Sequence, residues 1–203
     1  MKNQFKKINI LFIAIFIAGC SKKEDNPVPA QNSSICTTTS SEFQSIFGVA
    51  GGTITYDFDV HSYDFKLTQN KTICKIGYQS TTYNAGNPYR IKIIQGGTVI
   101  YNQPHIFSST SISYVTPTTP VNLNAGVTCT IERWQTNSGP FNSDNIGRVK
   151  DVFVAYPFGS SFMSILGSKF YFDSTYTNPI LGMPNGTSTL TNTKVPYIDI
   201  IFQ

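Results

Sequence analysis

Several stretches of this chain alternate between apolar and polar residues, and this period of two constrains the fold more than any other feature. Every second residue of 54–60 is apolar, and the residues between them are polar. Tyr63, Phe65 and Leu67 repeat the pattern a few positions later. Because successive side chains of a strand point to opposite faces of a sheet, these runs predict strands with one buried and one solvated face.

Glycine and proline separate about ten such runs, as expected for short strands joined by turns. The pair Gly96-Gly97 predicts a tight hairpin, because hairpin turns that match strand twist need positive φ angles. Further strands are predicted over 73–78, 89–94, 99–102, 112–115, 121–123, 127–134, 152–156, 170–172 and 197–202. The sequence therefore predicts an all-β fold, an antiparallel β-sandwich of jelly-roll-like size.

One or two helical turns are predicted where the folded part begins, near Glu42. Phe43, Ile46 and Phe47 recur at helical intervals, and Thr39 and Glu42 have the spacing of a capping box. No stretch of the folded part keeps a helical period over three turns. The helix is therefore expected to be a short addition to the sandwich.

The first nineteen residues have the parts of a secretion signal. Lys2, Lys6 and Lys7 give a positive start, and residues 10–18 are almost wholly apolar. This apolar run is about half of the ~20 residues that a helix needs to cross a bilayer, so we interpret it as a signal and not as a membrane span. It ends in Ile17-Ala18-Gly19-Cys20, which resembles the lipobox of bacterial lipoproteins.

The lipobox resemblance implies that Cys20 becomes the amino terminus and carries covalent lipid, with no other cofactor expected. Two or more acyl chains anchor a protein stably, so a membrane is a predicted partner. The expected location is the cell envelope, at the outer membrane. The alternative is an ordinary signal peptide in which the cysteine is accidental.

Residues 20–41 have the composition of a flexible tether. Ser21-Lys22-Lys23-Glu24-Asp25 is too charged to pack, and it resembles the export signals that send some lipoproteins to the outer face of the outer membrane. Residues 26–41 contain two prolines and a run rich in Ser, Thr and Asn. We predict a signal peptide over 1–19, a tether over 20–41 and one β-sandwich domain over 42–203. The sequence leaves open which face of the membrane the domain occupies.

The charge balance disfavours nucleic acid as a partner. The chain has 15 Lys and Arg against 11 Asp and Glu, and three of those lysines belong to the signal. Removing these 3 leaves 12 positive residues against 11 negative ones, a net charge of +1. The mature sequence also has no polybasic run of the kind that binds phosphate backbones.

The segment 63–135 resembles a known family. Ile73-Cys74-Lys75-Ile76-Gly77-Tyr78 and the run from Pro120 to Ile131 are similar to the β-sandwich domain of unknown function found in bacterial surface proteins beside Ig-like modules. The resemblance implies the same sandwich fold and an extracellular setting. It carries no catalytic residues over to this chain.

No recognised catalytic or metal-binding motif is present in the sequence. His61 and His105 are the only histidines, they lie far apart, and we interpret them as surface or turn residues. Asn142-Ser143-Asp144-Asn145 is the most calcium-like loop, but it has too few carboxylates for a tight site, so no metal is predicted. A glycosidase would need two opposed carboxylates, and the candidates are Asp57, Asp59, Asp64, Glu132, Asp151, Asp173 and Asp199.

Three cysteines follow Cys20, an odd number for an oxidising compartment. Cys74 and Cys129 alternate in phase with apolar neighbours, so both are expected in the core, bridged only if their strands face each other. Cys36 falls in the predicted tether.

Trp134, the only tryptophan, is the candidate ligand-binding residue. Alternation places it with Thr128, Thr130 and Glu132 on the polar face of its strand, just before a long loop over 136–147. A ring on a solvent face can stack on a sugar, whereas a loop that folds back would cover it. We expect a lipid-anchored interaction module that binds a glycan, an envelope protein or a host surface ligand. The alternative is a polysaccharide-active enzyme on the same fold.

Lipidation of Cys20 is directly testable. We expect the wild-type chain to incorporate a palmitate analogue in a bacterial host and Cys20→Ala to lose both the label and membrane attachment, because the thiol is the acceptor. Retention of label by Cys20→Ala would contradict the anchor.

Overall fold

The computed structural model describes residues 36, 40–48, 54–56, 60–82, 84–135, 146–151, 155–171 and 194–203. This part of the chain contains one helix, α1 (Glu42–Phe47), and thirteen strands. The first seven strands are β1 (Ile54–Tyr56), β2 (Val60–Leu67), β3 (Lys71–Tyr78), β4 (Tyr89–Gln95), β5 (Thr98–His105), β6 (Ser113–Val115) and β7 (Val121–Leu123). The others are β8 (Thr128–Gln135), β9 (Ile146–Asp151), β10 (Phe158–Gly159), β11 (Met163–Tyr171), β12 (Lys194–Pro196) and β13 (Asp199–Phe202).

The strands form antiparallel sheets, which confirms the predicted all-β sandwich. One sheet has six strands in the order β10-β11-β2-β8-β4-β5. A four-stranded sheet is centred on β3, which pairs with β13 on one side and with β6 and β7 on the other. A third sheet has the order β1-β9-β12. Side chains of the six-stranded and four-stranded sheets share one hydrophobic core.

The core follows the period-two pattern. Tyr63, Phe65 and Leu67 of β2 are buried, and Ile131 of β8 lies beside Tyr63 in the ladder. The Tyr63 hydroxyl donates a hydrogen bond to the Ile198 carbonyl at 2.7 Å, which ties the six-stranded sheet to the chain entering β13. Alternation along β2 therefore fixes which residues join the two sheets.

The interpretation of His61 as a surface or turn residue is wrong. β2 begins at Val60, so His61 lies inside the strand, in phase with Tyr63, and is fully buried. His105 lies at the end of β5 and is half-buried, with its Nε2 2.6 Å from the Tyr101 hydroxyl. Burial lowers the pKa of His105.

The hairpin at Gly96-Gly97 is confirmed. β4 and β5 pair across it from Gln95 and Thr98, and the φ angles of the two glycines are 56° and 82°. Two successive positive φ angles are what a twisted two-residue hairpin requires.

Other predicted boundaries shift. Residues 170 and 171 of the 170–172 run end the longer strand β11, while residue 172 lies outside the described residues. Strand β9 already begins at Ile146, inside the predicted loop. Residues 152–154 lie outside the described residues, as do 136–145 and the calcium-like loop within them. All four residues of the terminal strand β13 are buried, although β13 is the edge strand of its sheet.

Helix α1 is capped by Ser41 and not by Thr39, because the Ser41 hydroxyl accepts the Gln44 N–H at 2.8 Å. The same hydroxyl donates to the Asp199 carboxylate, which is fully buried. Asp199 also accepts the Tyr114 hydroxyl at 2.6 Å and the Gln44 side-chain amide at 3.2 Å. This buried carboxylate therefore connects the helix, β6 and β13.

Gly77 of β3 makes room for this cluster. A Cβ at position 77 would lie 2.5 Å from the Tyr114 ring and 3.1 Å from the Asp199 Cβ. A side chain at position 77 would therefore block the contact between Tyr114 and Asp199.

Cys36 forms a disulfide with Cys74 of β3, with a Cα–Cα distance of 5.5 Å. The burial predicted for Cys74 and Cys129 is confirmed, but the bridge uses Cys36 and leaves Cys129 as a thiol. Burial raises the pKa of the Cys129 thiol to about 11, so it stays protonated. The bond attaches residue 36, in the predicted tether, to the core; Cys20 lies outside the described residues.

We expect loss of this disulfide to lower the free energy of unfolding. The bond closes a separation of 38 residues, and a loop of that size is worth about 3 to 4 kcal/mol through the entropy of the unfolded chain. Guanidinium unfolding of Cys36→Ala measures the loss. With reductant, wild type and Cys36→Ala should unfold at the same guanidinium concentration. Equal free energies of unfolding without reductant would contradict the prediction.

Asp199 should make stability depend on pH. Burial raises its pKa, although hydrogen bonds from Ser41, Tyr114 and Gln44 act in the opposite direction. The folded state therefore holds this proton more tightly than the unfolded state, and its contribution to stability is lost as pH rises from about 4 through the folded pKa.

Urea unfolding of wild type and Asp199→Asn, at pH values from about 4 upward, measures the contribution of Asp199 to the free energy of unfolding. The free energy of unfolding of wild type should fall with rising pH relative to that of Asp199→Asn, which has no carboxyl to titrate. Parallel pH profiles would show that Asp199 is not the cause.

Candidate ligand-binding face

The solvent-facing side of the six-stranded sheet carries a group of polar residues and one tryptophan, here called the outer face. Its members follow from ladder register, because residues paired with each other point to the same side of a sheet. They are Arg90 and Lys92 of β4, Thr128, Thr130, Glu132 and Trp134 of β8, Asp64 and Lys66 of β2, and Ser164 and Lys169 of β11. Val60 and Ser62 of β2 have the same register but are buried.

Trp134 is held by two neighbours on this face. Its indole Nε1 donates to Glu132 Oε2 at 2.7 Å, and the Lys92 ammonium lies 5.1 Å from the ring centroid. Lys92 and Glu132 are opposite each other in the ladder and form an ion pair at 3.2 Å. Glu132 therefore fixes both the indole and the cation above it.

This arrangement orients the half-buried Trp134 before any ligand arrives. Glu132 and Lys92 are directly opposite each other in the ladder, and Glu132 is only 7% exposed. Preorganised aromatic groups lose little conformational entropy on binding. The predicted polar-face position of Trp134 is confirmed, whereas its role in binding stays a prediction.

A second ion pair lies farther along the same face. Lys169 is 3.2 Å from Asp64, and the Thr130 hydroxyl donates to the other Asp64 oxygen at 2.6 Å. The Lys169 and Asp64 side chains remain 44% and 23% exposed, so this part of the face is accessible.

A groove of about 520 Å³ lies at the Lys66 end of this face. Its lining combines apolar groups with hydroxyls: Lys66, Leu67, Thr68, Ala125, Gly126, Pro157, Ser164 and Leu166. The volume falls in the ~300–1,000 Å³ range of small-molecule sites. Sequence reasoning missed this groove because its walls come from four separated segments.

Sequence reasoning also missed Arg133 of β8. It continues the inward phase of Cys129 and Ile131, and it is completely buried in the core. Its guanidinium carbon lies 5.4 Å from the Tyr78 ring centroid and 5.3 Å from that of Tyr89. Two tyrosines thus provide cation–π contacts on the inner side of the strand that presents Trp134.

Two of the candidate carboxylates share the outer face, and a third lies elsewhere. Asp64 and Glu132 are on neighbouring strands at diagonal ladder positions, and each is paired with a lysine. Asp199 belongs to β13 of the four-stranded sheet. Asp151 ends β9, and the remaining candidates, Asp57, Asp59 and Asp173, lie outside the described residues.

Across the described ranges, no three His, Cys, Asp or Glu side chains come together as a metal site. The same ranges contain no helix of the length and apolarity needed to cross a membrane.

No family model matches this chain, and no curated protein sequence matches it either. The resemblances of residues 17–20 and 63–135 therefore stay predictions.

Proposed function

We propose that this protein is a lipid-anchored β-sandwich of the cell envelope whose outer face binds a ligand, with a glycan as the favoured class. The observation that carries the proposal is the orientation of the half-buried Trp134 by Glu132 and Lys92 on the outer face. An aromatic ring beside charged and hydroxyl groups offers a sugar both a stacking surface and hydrogen-bonding partners. An envelope protein or a host surface ligand would use the same face.

The membrane part of the proposal rests on Cys20. Its covalent lipid would hold the domain at the outer membrane, and no other cofactor is needed for binding. The Cys36–Cys74 disulfide supports this setting, because such bonds persist in oxidising compartments.

The geometry favours binding over catalysis. A glycosidase places two carboxyl groups on opposite sides of the scissile bond, separated by about 5 to 9.5 Å. Asp64 and Glu132 instead extend from the same sheet face, each held by a lysine at 3.2 Å. A polysaccharide-active enzyme is therefore the second candidate, and Asp64 with Glu132 would be its carboxylate pair.

Trp134 should report binding directly, because it is the only tryptophan. We expect its fluorescence to change on titration with a bound glycan, and Trp134→Ala to weaken binding roughly tenfold, the effect of losing one aromatic contact. Trp134→Phe keeps a ring and should retain part of the affinity.

Isothermal titration calorimetry measures these affinities, and circular dichroism checks that the variants fold. Full glycan affinity in a folded Trp134→Ala protein would rule out this face. Release of reducing sugar by wild type, and its loss in Glu132→Gln, would instead favour the enzyme.

A further inference from the structure

The outer face carries more positive than negative charge. It has four cationic side chains and two carboxylates: Arg90, Lys92, Lys66 and Lys169 against Asp64 and Glu132. The mature chain as a whole is predicted to be nearly neutral, so this excess is local. A local excess of one sign attracts ligands of the other sign.

The two carboxylates neutralise only part of this charge. Glu132 pairs with Lys92, and Asp64 pairs with Lys169. Within the described part of the chain, no carboxylate forms an ion pair with Lys66 or Arg90. Lys66 is exposed, and Arg90, also exposed, donates to the neutral side chain of Asn102 at 3.1 Å.

These two cations lie at opposite ends of the face. In the ladder Lys66 is opposite Thr128, and Arg90 is opposite Trp134. Those positions are six residue steps apart on β8, a distance of about 20 Å along a strand. A single small anion cannot contact both ends, whereas an extended chain with repeated negative groups can.

Each end also offers a surface for a sugar ring. At the Arg90 end this surface is the indole of Trp134. At the Lys66 end it is the groove of about 520 Å³, where Leu166 and Pro157 provide apolar contacts and Ser164 provides a hydroxyl. Between the ends, the Asp64–Lys169 pair and Thr130 provide both donors and acceptors for sugar hydroxyls.

We infer that the outer face binds an extended acidic polysaccharide, which lies along β8 from the groove at Lys66 to Trp134. This inference deepens the proposed function and rests on it. Lys66 and Arg90 contact the negative substituents, and Trp134 and the groove each hold one sugar ring.

The test compares polygalacturonate and dextran sulfate with uncharged galactan and dextran, by calorimetry on the folded domain. We expect an acidic polymer to bind more tightly than its neutral counterpart, and the difference to shrink as added salt screens the exposed charges. Oligogalacturonides should gain affinity with length until they span the face. The sulfated polymer distinguishes sulfate from carboxylate recognition.

Charge variants locate the contact. Lys66→Met and Arg90→Met should each weaken acidic binding about two- to fivefold, the effect of one exposed ion pair. Lys75→Met is the matched control, because it removes a half-buried cation from β3 in the other sheet. These positions are solvent-accessible, so folding should be preserved.

The outcomes separate the two proposals. Equal binding of acidic and neutral polymers, with loss in Trp134→Ala, would overturn the acidic-chain inference and leave glycan binding standing. A loss in Lys75→Met as large as that in Lys66→Met would also overturn it, since the attraction would then be general. If none of the four polymers binds, the inference and the glycan proposal both fail.

Discussion

The antiparallel pairing of β8 with β2 on one side and β4 on the other determines both the core and the outer face. In this register Ile131 lies between Tyr63 and Ile93, and all three are completely buried. Glu132, one residue further, is directed to the opposite side. A slip of one residue would exchange the two sets, placing charges in the core and large apolar side chains in water. The composition of the outer face is therefore a direct consequence of the packing that stabilises the sandwich.

Charged groups are used differently on the two sides of this sheet. On the outer side Glu132 forms an ion pair with Lys92 and accepts the indole N–H of Trp134, so it holds the two side chains together. On the inner side Arg133 lies against the rings of Tyr78 and Tyr89. These two rings also contact each other edge to face, with their centroids 5.2 Å apart. A guanidinium is weakly hydrated and stacks well on aromatic rings, which makes it the cation best suited to burial.

Long-range connections attach the first described residues to the four-stranded sheet. The Cys36–Cys74 disulfide attaches residue 36 to β3, and Ser41 hydrogen-bonds to Asp199. Both lie on the four-stranded sheet, away from the outer face.

The sequence by itself determined the approximate positions of strands β1 to β8 and β13, the Gly96-Gly97 hairpin and the polar-face position of Trp134, because alternation and turn chemistry act between residues close in the chain. It did not predict β9, β10 or β12. It misassigned His61, since one strand boundary decided whether that residue lay in a turn or in the core. Only the tertiary structure decided that Cys36 pairs with Cys74 and that Asp199 is buried with Ser41 and Tyr114. These contacts join residues 38 to 158 positions apart, and local patterns do not specify which distant strands become neighbours.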